Sequence, residues 1–328
     1  MLKIGVVGMG IGGSHGAVAH KSGLAELTAI CDKDAAKLKW RLETYAKEID
    51  AHPRGYEDLD EMLGREKLDG LIVSTPSGLH HQQAVAAARR GVHVLVDKPL
   101  DITVEHMQAI QDAAAQAGIL AGVNHGMRFD GAYWAVRQAI ERGDFGKLLV
   151  VDARLKWFRE QAYYDKGGWR ATWGMDGGGS MMNQGVHMMD MLVWYAGGRA
   201  KKVRGDFAAL NHKIETEDWA SAIIEFDNGV RSTTSTTTCV FPKNDRTSFE
   251  VHGTSGSCFV VNGAIVETNI AALKEPAPPP AASAVLDFLY ALRDKRPPMI
   301  SLEQARRPVE LILAAYQSAR EGRTVEIG

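Results

Sequence analysis

The chain has 328 residues, 45% of them hydrophobic and 24% charged, with a formal net charge of −2. This composition predicts neither a nucleic-acid nor a membrane partner, and no apolar run reaches the roughly 18 residues of a membrane span. The length predicts two domains, and the three scattered cysteines argue against a disulfide framework or metal cage and fit the reducing cytoplasm. The N-terminus enters a predicted strand at once, so we expect no cleaved signal peptide.

Short β-branched runs alternate with helical patterns from Leu2 to about Val123. The runs read KIGVVG, LTAICD, GLIVST, VHVLVD and ILAGVN, and Ala-rich segments lie between them. Strands that are apolar throughout are covered on both faces, which favours a parallel sheet. The alternation predicts an α/β fold in which residues 1–122 form a dinucleotide-binding Rossmann domain with a doubly wound parallel sheet.

The loop GMGIGG follows the first strand, and Gly8, Gly10 and Gly13 match the pattern G-x-G-x-x-G. The first glycine permits a tight turn, the second lets a pyrophosphate approach, and the third lets the helix pack closely on the strand. The following helix N-terminus offers free N–H donors to the phosphates. The predicted cofactor-binding residues of this loop are Gly8, Met9, Gly10, Ile11, Gly12 and Gly13.

Asp32 lies 19 residues beyond Gly13, at the end of the second predicted strand. An acid at this place can accept hydrogen bonds from the adenosine ribose diol and repels a 2′-phosphate, so NAD is favoured over NADP. The nearby Lys33 weighs against this preference. The alternative is that Asp32 only begins the turn DKD.

Two further loops follow strands at the edge where doubly wound folds bind ligands. Thr75 and Pro76 follow the third run, and His80 then caps or lines the next helix, or is a solvated residue of its first turn. The fourth run ends on Asp97 and Lys98. A strand end does not need an ionic pair, so we expect Lys98 to face a cofactor and a hydroxylated substrate.

The second half of the chain has a different pattern. Strand-like runs follow one another with short turns, and Asn228-Gly229 between two of them is a hairpin signal. We therefore expect residues 123–328 to form an α+β substrate-binding and oligomerisation domain with a large, mostly antiparallel sheet. The Ser/Thr-rich strand 232–238 either lies against a partner subunit or forms a wet sheet face. The proline-rich connector 274–283 precedes helices predicted at about 284–293 and 302–321.

A mostly apolar helix is predicted from Met181 to about Tyr195, after the run DGGGS. Asn183, His187 and Asp190 stand at i, i+4 and i+7, which puts them on one face of that helix. Buried polar groups need partners, so this stripe favours a functional site. The aromatic segment 157–173 precedes it. Its members either contact a sugar ring or pack the loop onto the sheet, and the candidates are Arg159, Tyr163, Tyr164, Trp169 and Arg170.

Four motifs together resemble the Gfo/Idh/MocA oxidoreductases: GMGIGG, STPSGLH at 74–80, VDKP at 96–99 and GGGSMMNQGVHMMD at 177–190. Asp97 replaces the glutamate of that family's pattern and Asn183 replaces an aspartate. The resemblance implies NAD(P)-dependent chemistry on sugars, cyclitols and sugar derivatives, and a homodimer or homotetramer. It also implies a cis Lys98–Pro99 bond, and it matches Arg128 to the arginine of a family Arg-Phe pair, whose role can be purely structural.

Oxidation of a secondary alcohol needs a hydride acceptor, which the nicotinamide supplies, and a base. We assign the base to His187, because the ordinary pKa of histidine lies near neutrality. Lys98 is expected to stabilise the charge on the reacting oxygen across a shared cleft, with Asp97 orienting Lys98, touching the nicotinamide ribose or only forming a turn. Asn183 can hold a hydroxyl but cannot ionise.

The leading expectation is therefore an NAD-dependent sugar or cyclitol dehydrogenase. A ketosugar reductase and an enzyme that uses NAD transiently to modify a glycoside are alternatives within the enzymes. A cofactor-binding regulator without chemistry is the alternative from another class, and the presence of both Lys98 and His187 argues against it.

Overall fold

The computed structural model describes residues 1–274 and 277–328, so the predicted connector 274–283 lies partly outside the described residues. The chain forms two compact units. The first comprises residues 1–125 and 281–306, and the second comprises residues 126–280 and 307–328. In the described ranges, no helix is both long and apolar enough to cross a membrane.

The first unit is built on a parallel sheet of six described strands in the order β3-β2-β1-β4-β5-β6. Every neighbouring pair in it is parallel, as the apolar runs predicted. The short β3 was not predicted, because three residues are too few for a periodic pattern. The strands are β1 (Leu2–Val7), β2 (Ala25–Cys31), β3 (Arg54–Tyr56), β4 (Gly70–Val73), β5 (His93–Asp97) and β6 (Ala121–Asn124).

Helices connect these strands, and short polar residues begin several of them. The Asp34 side chain accepts the Lys37 N–H at the start of the second helix, and Thr103 accepts the His106 N–H at the start of the fifth. Such caps satisfy N–H groups that a helix leaves open. The helices are α1 (Gly12–Lys21), α2 (Ala35–Ile49), α3 (Leu59–Arg65), α4 (His80–Ala88) and α5 (Val104–Ala117).

The second unit contains a sheet of eight described strands in the order β13-β12-β11-β7-β10-β9-β8-β14. Strand β10 pairs in parallel with β7, and the other pairs are antiparallel, including the β9–β10 hairpin that Asn228-Gly229 predicted. The strands are β7 (Leu148–Lys156), β8 (Ala200–Ala208), β9 (Trp219–Phe226), β10 (Arg231–Thr237), β11 (Arg246–Gly253), β12 (Ser257–Val261), β13 (Ala264–Thr268) and β14 (Val325–Glu326). The predicted fold class is confirmed.

The remaining helices are α6 (Gly131–Glu141), α7 (Gln161–Asp165), α8 (Val186–Ala196), α9 (Ala284–Asp294) and α10 (Leu302–Glu321). Helix α9 belongs to the core of the first unit, where Val285, Phe288 and Leu289 pack with Ile4 and Ile72. This packing explains why the first unit includes residues from late in the chain.

The predicted continuous helix over 181–195 differs from the observed structure. Residues Ser180–Gln184 form a π-helical turn, and α8 follows it. The Gly185 N–H reaches back five residues to the Ser180 carbonyl at 2.8 Å. A Cβ on Gly185 would lie 2.7 Å from Thr236 of β10, so the turn packs closely on the sheet. Asn183 therefore lies in a wider turn than an α-helix provides.

The small polar row of β10 faces the interior of the second unit. Ser232, Thr234 and Thr236 are all buried, and the Thr236 hydroxyl lies 3.1 Å from the Ser180 hydroxyl. Small side chains are needed here because the π-helical turn lies directly against them. On the opposite face of β10, Thr233 is exposed and Ser235 is half-buried, so the choice between a wet face and a partner surface stays a prediction for that face.

Candidate active site

The glycine-rich loop has the predicted shape, with one difference. Gly8 has φ +92°, and a Cβ there would lie 2.4 Å from the Ser74 carbonyl oxygen. A Cβ on Gly10 would meet nothing within 4 Å among the described residues, which leaves room for a phosphate. A Cβ on Gly13, however, would meet the Arg41 guanidinium at 2.3 Å. Gly13 thus makes room for a side chain of α2, a contact that the motif did not predict.

Asp32 lies beside this loop, where the sequence predicted it. Its carboxylate accepts the Met9 N–H at 2.7 Å and the Asp34 N–H at 3.0 Å. Lys37 forms an ion pair with it at 3.3 Å, whereas Lys33 is exposed. The carboxylate therefore connects the loop to the start of α2 by hydrogen bonds, and the cationic side chain paired with it is that of Lys37.

Arg41 is a member of this region that the sequence analysis missed. Its guanidinium donates to the carbonyl oxygens of Met9 and Gly10 at 3.3 and 3.4 Å and lies 4.4 Å from the centre of the Trp40 ring. The contact spans more than 30 residues, so no local pattern indicated it.

His80 is buried and bridges two loops. Its Nδ1 lies 2.9 Å from the Pro99 carbonyl oxygen, and its Nε2 lies 3.0 Å from the Thr75 carbonyl oxygen. The solvated alternative for His80 was wrong, because the ring is 1% exposed. The ring thus lies between the Thr75–Pro76 loop and the Lys98–Pro99 turn and is within hydrogen-bond distance of both.

Asp97 and Lys98 end β5 as predicted, and the Lys98–Pro99 peptide bond is cis. The Asp97 carboxylate accepts the Asn124 side-chain N–H at 2.8 Å and lies 3.1 Å from His15 Nε2. Burial alone raises the pKa of Asp97, but the hydrogen bonds from His15 and Asn124 outweigh it and hold that pKa below its usual range. His15 and Asn124 were missed, because α1 and β6 bring them to this edge from distant sequence positions.

In the second unit, the three polar residues of the predicted stripe lie in different surroundings. Asn183 donates its side-chain N–H groups to Asp176. Asp190 is fully buried and accepts two hydrogen bonds from Arg128, at 2.6 and 2.8 Å. His187 is half-buried. Asp190 therefore belongs to a buried ion pair. Of the three residues of the stripe, only Asn183 and His187 are partly accessible.

His187 lines a hollow of about 490 Å³ within the second unit. Most of its walls are polar or aromatic, which suits a hydroxylated ligand. The other lining residues are Met127, Asp130, Tyr133, Trp157, Asn244, Asp245, Thr247, Asn262 and Gly263. Lys98 belongs to the first unit and His187 to the second, and their joint action stays a prediction.

The aromatic segment divides into an accessible part and a packed part. Arg170 lies 4.7 and 4.8 Å from the ring centres of Tyr163 and Trp169, and Arg159 lies 5.3 Å from that of Tyr163. Tyr164 differs from its prediction as a substrate contact. It is 5% exposed, and its hydroxyl lies 2.7 Å from that of Thr238, which fits packing of the loop onto the sheet.

Among the described residues, two clusters have metal-binding residue types, and hydrogen bonds connect the members of each. The rings of His81 and His106 stack with their centres 3.5 Å apart, and the Nδ1 atom of each lies within hydrogen-bond distance of a different oxygen of Asp101. In the cluster of His212, Asp218 and Cys239, burial raises the pKa of the Cys239 thiol to about 11. The Asp218 carboxylate accepts the N–H groups of Leu210, Asn211 and His212, so the backbone already uses its oxygens.

Glu217 was missed by the sequence analysis and lies beneath the glycine run. It is fully buried and accepts hydrogen bonds from the N–H groups of Gly179 and Met181 and from the Tyr316 hydroxyl. Burial raises the pKa of Glu217 to about 7, against the opposing effect of these hydrogen bonds. The carboxyl therefore anchors the turn that carries Asn183.

The pH dependence of stability is expected to reflect Glu217. The folded state holds its proton more tightly than the unfolded state, whose pKa is near 4.5, so stability falls as the pH rises from about 4.5 to 7 and then levels. The expected loss is about 3 kcal/mol in the free energy of unfolding. Urea unfolding across this range should show that loss in the wild type and a flatter dependence in Glu217→Gln. Parallel curves for the two proteins would contradict it, and Glu48→Gln on the surface is the control.

Family models match both halves of the chain. Residues 2–125 match the oxidoreductase family with an NAD-binding Rossmann fold, and residues 133–259 match the GFO/IDH/MocA C-terminal domain. The chain belongs to the Gfo/Idh/MocA oxidoreductase family. The predicted family, enzyme class and NAD cofactor are confirmed.

Members of this Gfo/Idh/MocA family with named activities are similar to the chain. It is 32% identical over 200 residues to 1,5-anhydro-D-fructose reductase of Ensifer adhaerens, which covers 61% of this chain and 59% of the reductase. It is 26% identical to scyllo-inositol 2-dehydrogenase (NAD(+)) of Bacillus subtilis (strain 168), over 79% of this chain and 73% of that enzyme. The WlbA dehydrogenase of Bordetella pertussis, solved with NADH and UDP-GlcNAcA, aligns over 100% of this chain and 99% of its own at 32% identity, with a TM-score of 0.89.

Proposed function

We propose that the protein transfers a hydride between a secondary alcohol of a sugar, sugar derivative or cyclitol and NAD. The observation that carries this proposal is the placement of His187, a half-buried imidazole on the wall of a hollow lined by polar and aromatic residues. A base for a hydroxyl proton must be reachable by substrate, as a half-buried side chain on a hollow is, and the ordinary pKa of a histidine side chain lies near neutral pH.

The cofactor fits the first unit on two observations. The space above Gly10 is open, and the Asp32 carboxylate lies beside the glycine-rich loop. The proposed contacts are those of the loop 8–13, Asp32, Thr75, Pro76 and Asp97, with His80 acting through the two loops that it bridges. NAD supplies the hydride acceptor, and we propose residues 1–122 as its binding domain.

Three side chains are proposed to act on the substrate. His187 accepts the hydroxyl proton, and the Lys98 ammonium stabilises the negative charge that develops on the reacting oxygen. Asn183 holds a substrate hydroxyl. Residues 123–328 are proposed as the substrate-binding and oligomerisation domain, with Arg159, Tyr163, Trp169 and Arg170 contacting the ring.

The test is a panel of sugars, sugar acids, cyclitols and a UDP-sugar acid with NAD and with NADP, followed at 340 nm. Net NADH formation with one class of polyol is the expected result. NADH oxidation with ketosugars only would favour the reductase alternative, and product formation without net NADH would favour transient oxidation of a glycoside. NAD binding without turnover of any compound would favour the regulator.

We also propose a cytoplasmic location and a homodimer or homotetramer. The three cysteines support the first proposal, because all are free thiols and two of them are buried. The second comes from the family resemblance. Light scattering of the purified protein tests it, and a monomer at working concentration would contradict it.

A further inference from the structure

Asp176 is a buried acid in the turn that precedes the three glycines. It is 1% exposed, and its backbone N–H donates to the Thr172 carbonyl at 3.0 Å. Its carboxylate accepts the Ala171 N–H at 2.8 Å. Ala171 has φ +53°, so this bond holds a backbone conformation that a non-glycine residue seldom adopts. Asp176 thus stabilises the backbone at the C-terminal end of the aromatic segment 157–173.

The same carboxylate faces Asn183. The Asn183 Nδ2 lies 2.7 Å from one carboxylate oxygen of Asp176 and 2.9 Å from the other. An ionised carboxylate only accepts hydrogen bonds, so the amide must turn its NH₂ group towards Asp176. The Asn183 carbonyl oxygen then points away from that carboxylate within the amide plane, and a carbonyl oxygen has two lone pairs that accept hydrogen bonds.

We propose that Asp176 is a positioning residue, which fixes the Asn183 amide so that its carbonyl oxygen accepts a substrate hydroxyl. The inference rests on the proposed function, because it specifies which hydrogen-bonding group the substrate presents to Asn183 in the same site. The acid and the amide together place a negative charge behind an oriented acceptor. The substrate must therefore offer a hydroxyl donor to position 183, and an ether oxygen or a carbonyl there is rejected.

Exchanging the acid at position 176 and the amide at position 183 distinguishes a positioning role of Asp176 from a role in packing alone. Asn183→Asp places two carboxylates about 3 Å apart, and such a pair shares a proton instead of ionising fully. Asp176→Asn leaves two amides, whose mutual orientation is no longer fixed by charge. The double variant Asp176→Asn/Asn183→Asp restores one acid and one amide in exchanged positions.

The experiment measures kcat, KM and the midpoint of thermal unfolding for the wild type and these three variants, at pH 6 and pH 8. Each single variant is expected to lose about tenfold or more in kcat/KM at pH 8, and the loss in Asn183→Asp shrinks at pH 6 as the pair takes up a proton. The double variant is expected to recover to within about threefold of the wild type, because one charge again orients one amide.

Asp287→Asn is the matched control. Asp287 is a buried acid of the first unit that accepts hydrogen bonds from Arg296 and from the Met299 N–H at 2.7 Å each. Its loss should lower the unfolding midpoint without changing kcat/KM or its pH dependence. A fall in kcat/KM equal to that of Asp176→Asn would assign the effect to stability alone and overturn the proposal.

Two further results would overturn the inference, and they can be told apart. A wild type that turns over while the double variant stays as impaired as the singles shows that charge and orientation at this pair do not matter. A wild type that turns over none of the panel removes the proposed function, and the positioning role with it. In that case the unfolding midpoints still report whether the two substitutions compensate each other at pH 8.

Discussion

Lys98→Met is expected to lower kcat about 100- to 1,000-fold, the effect of removing a group that stabilises charge on a reacting oxygen. Methionine retains the length of the side chain but can neither donate a hydrogen bond nor carry charge. The proposed role of Lys98 is on the reacting oxygen, whereas the loop 8–13 and Asp32 are the main proposed cofactor contacts, so NADH binding should change much less than turnover. Steady-state kinetics on the best substrate of the panel and an NADH fluorescence titration measure the two effects.

Lys47→Met provides the matched control, because Lys47 is an exposed lysine of α2 in the same unit. It should turn over like the wild type. If Lys98→Met retained more than a third of wild-type kcat, Lys98 would have no role in charge stabilisation. His187→Ala should lower kcat about 100-fold or more in the same steady-state kinetics, because the group that accepts the hydroxyl proton is removed.

Asp190→Ala is expected to lower the free energy of unfolding by about 3–5 kcal/mol, because it removes the carboxylate opposite a buried guanidinium. Arg128 is 2% exposed, and its two hydrogen bonds to Asp190 measure 2.6 and 2.8 Å. Its guanidinium also lies 4.9 Å from the centre of the Trp194 ring. Urea unfolding followed by tryptophan fluorescence should show the loss.

Glu141→Gln is the control for this ion pair. Glu141 pairs with Arg137 on the surface of α6, and its side chain is 47% exposed, so the expected change is below about 1 kcal/mol. A change in Asp190→Ala as small as that of Glu141→Gln would mean that water reaches Arg128. The double change Arg128→Met/Asp190→Leu should recover part of the loss, because no charge then remains buried.

Much of the fold followed from local patterns. Apolar runs identified five of the six strands of the first sheet, because a strand covered on both faces leaves a continuous apolar signature. The Asn228-Gly229 pair identified the β9–β10 hairpin, because hairpin turns need a positive φ that glycine adopts easily. Gly229 indeed has φ +89°. Strands β3 and β14 were missed because three and two residues carry no period.

The candidate site was only half visible in the sequence. Gly8, Asp32, Lys98 and His187 stood out because each has a residue type that a specific chemistry needs at a recognisable place. Their supporting residues did not. Arg41, His15 and Glu217 come from other elements, and only chain folding brings them to the site.

The sequence by itself determined the type of each unit, the cofactor and the family, because these depend on periodicity and on short motifs. The tertiary structure alone decided which polar group meets which. Asn183, His187 and Asp190 look equivalent along a helix, yet the first faces Asp176, the second a hollow and the third Arg128. A side chain's partner depends on loop geometry and on contacts between distant residues, and neither is encoded in local spacing.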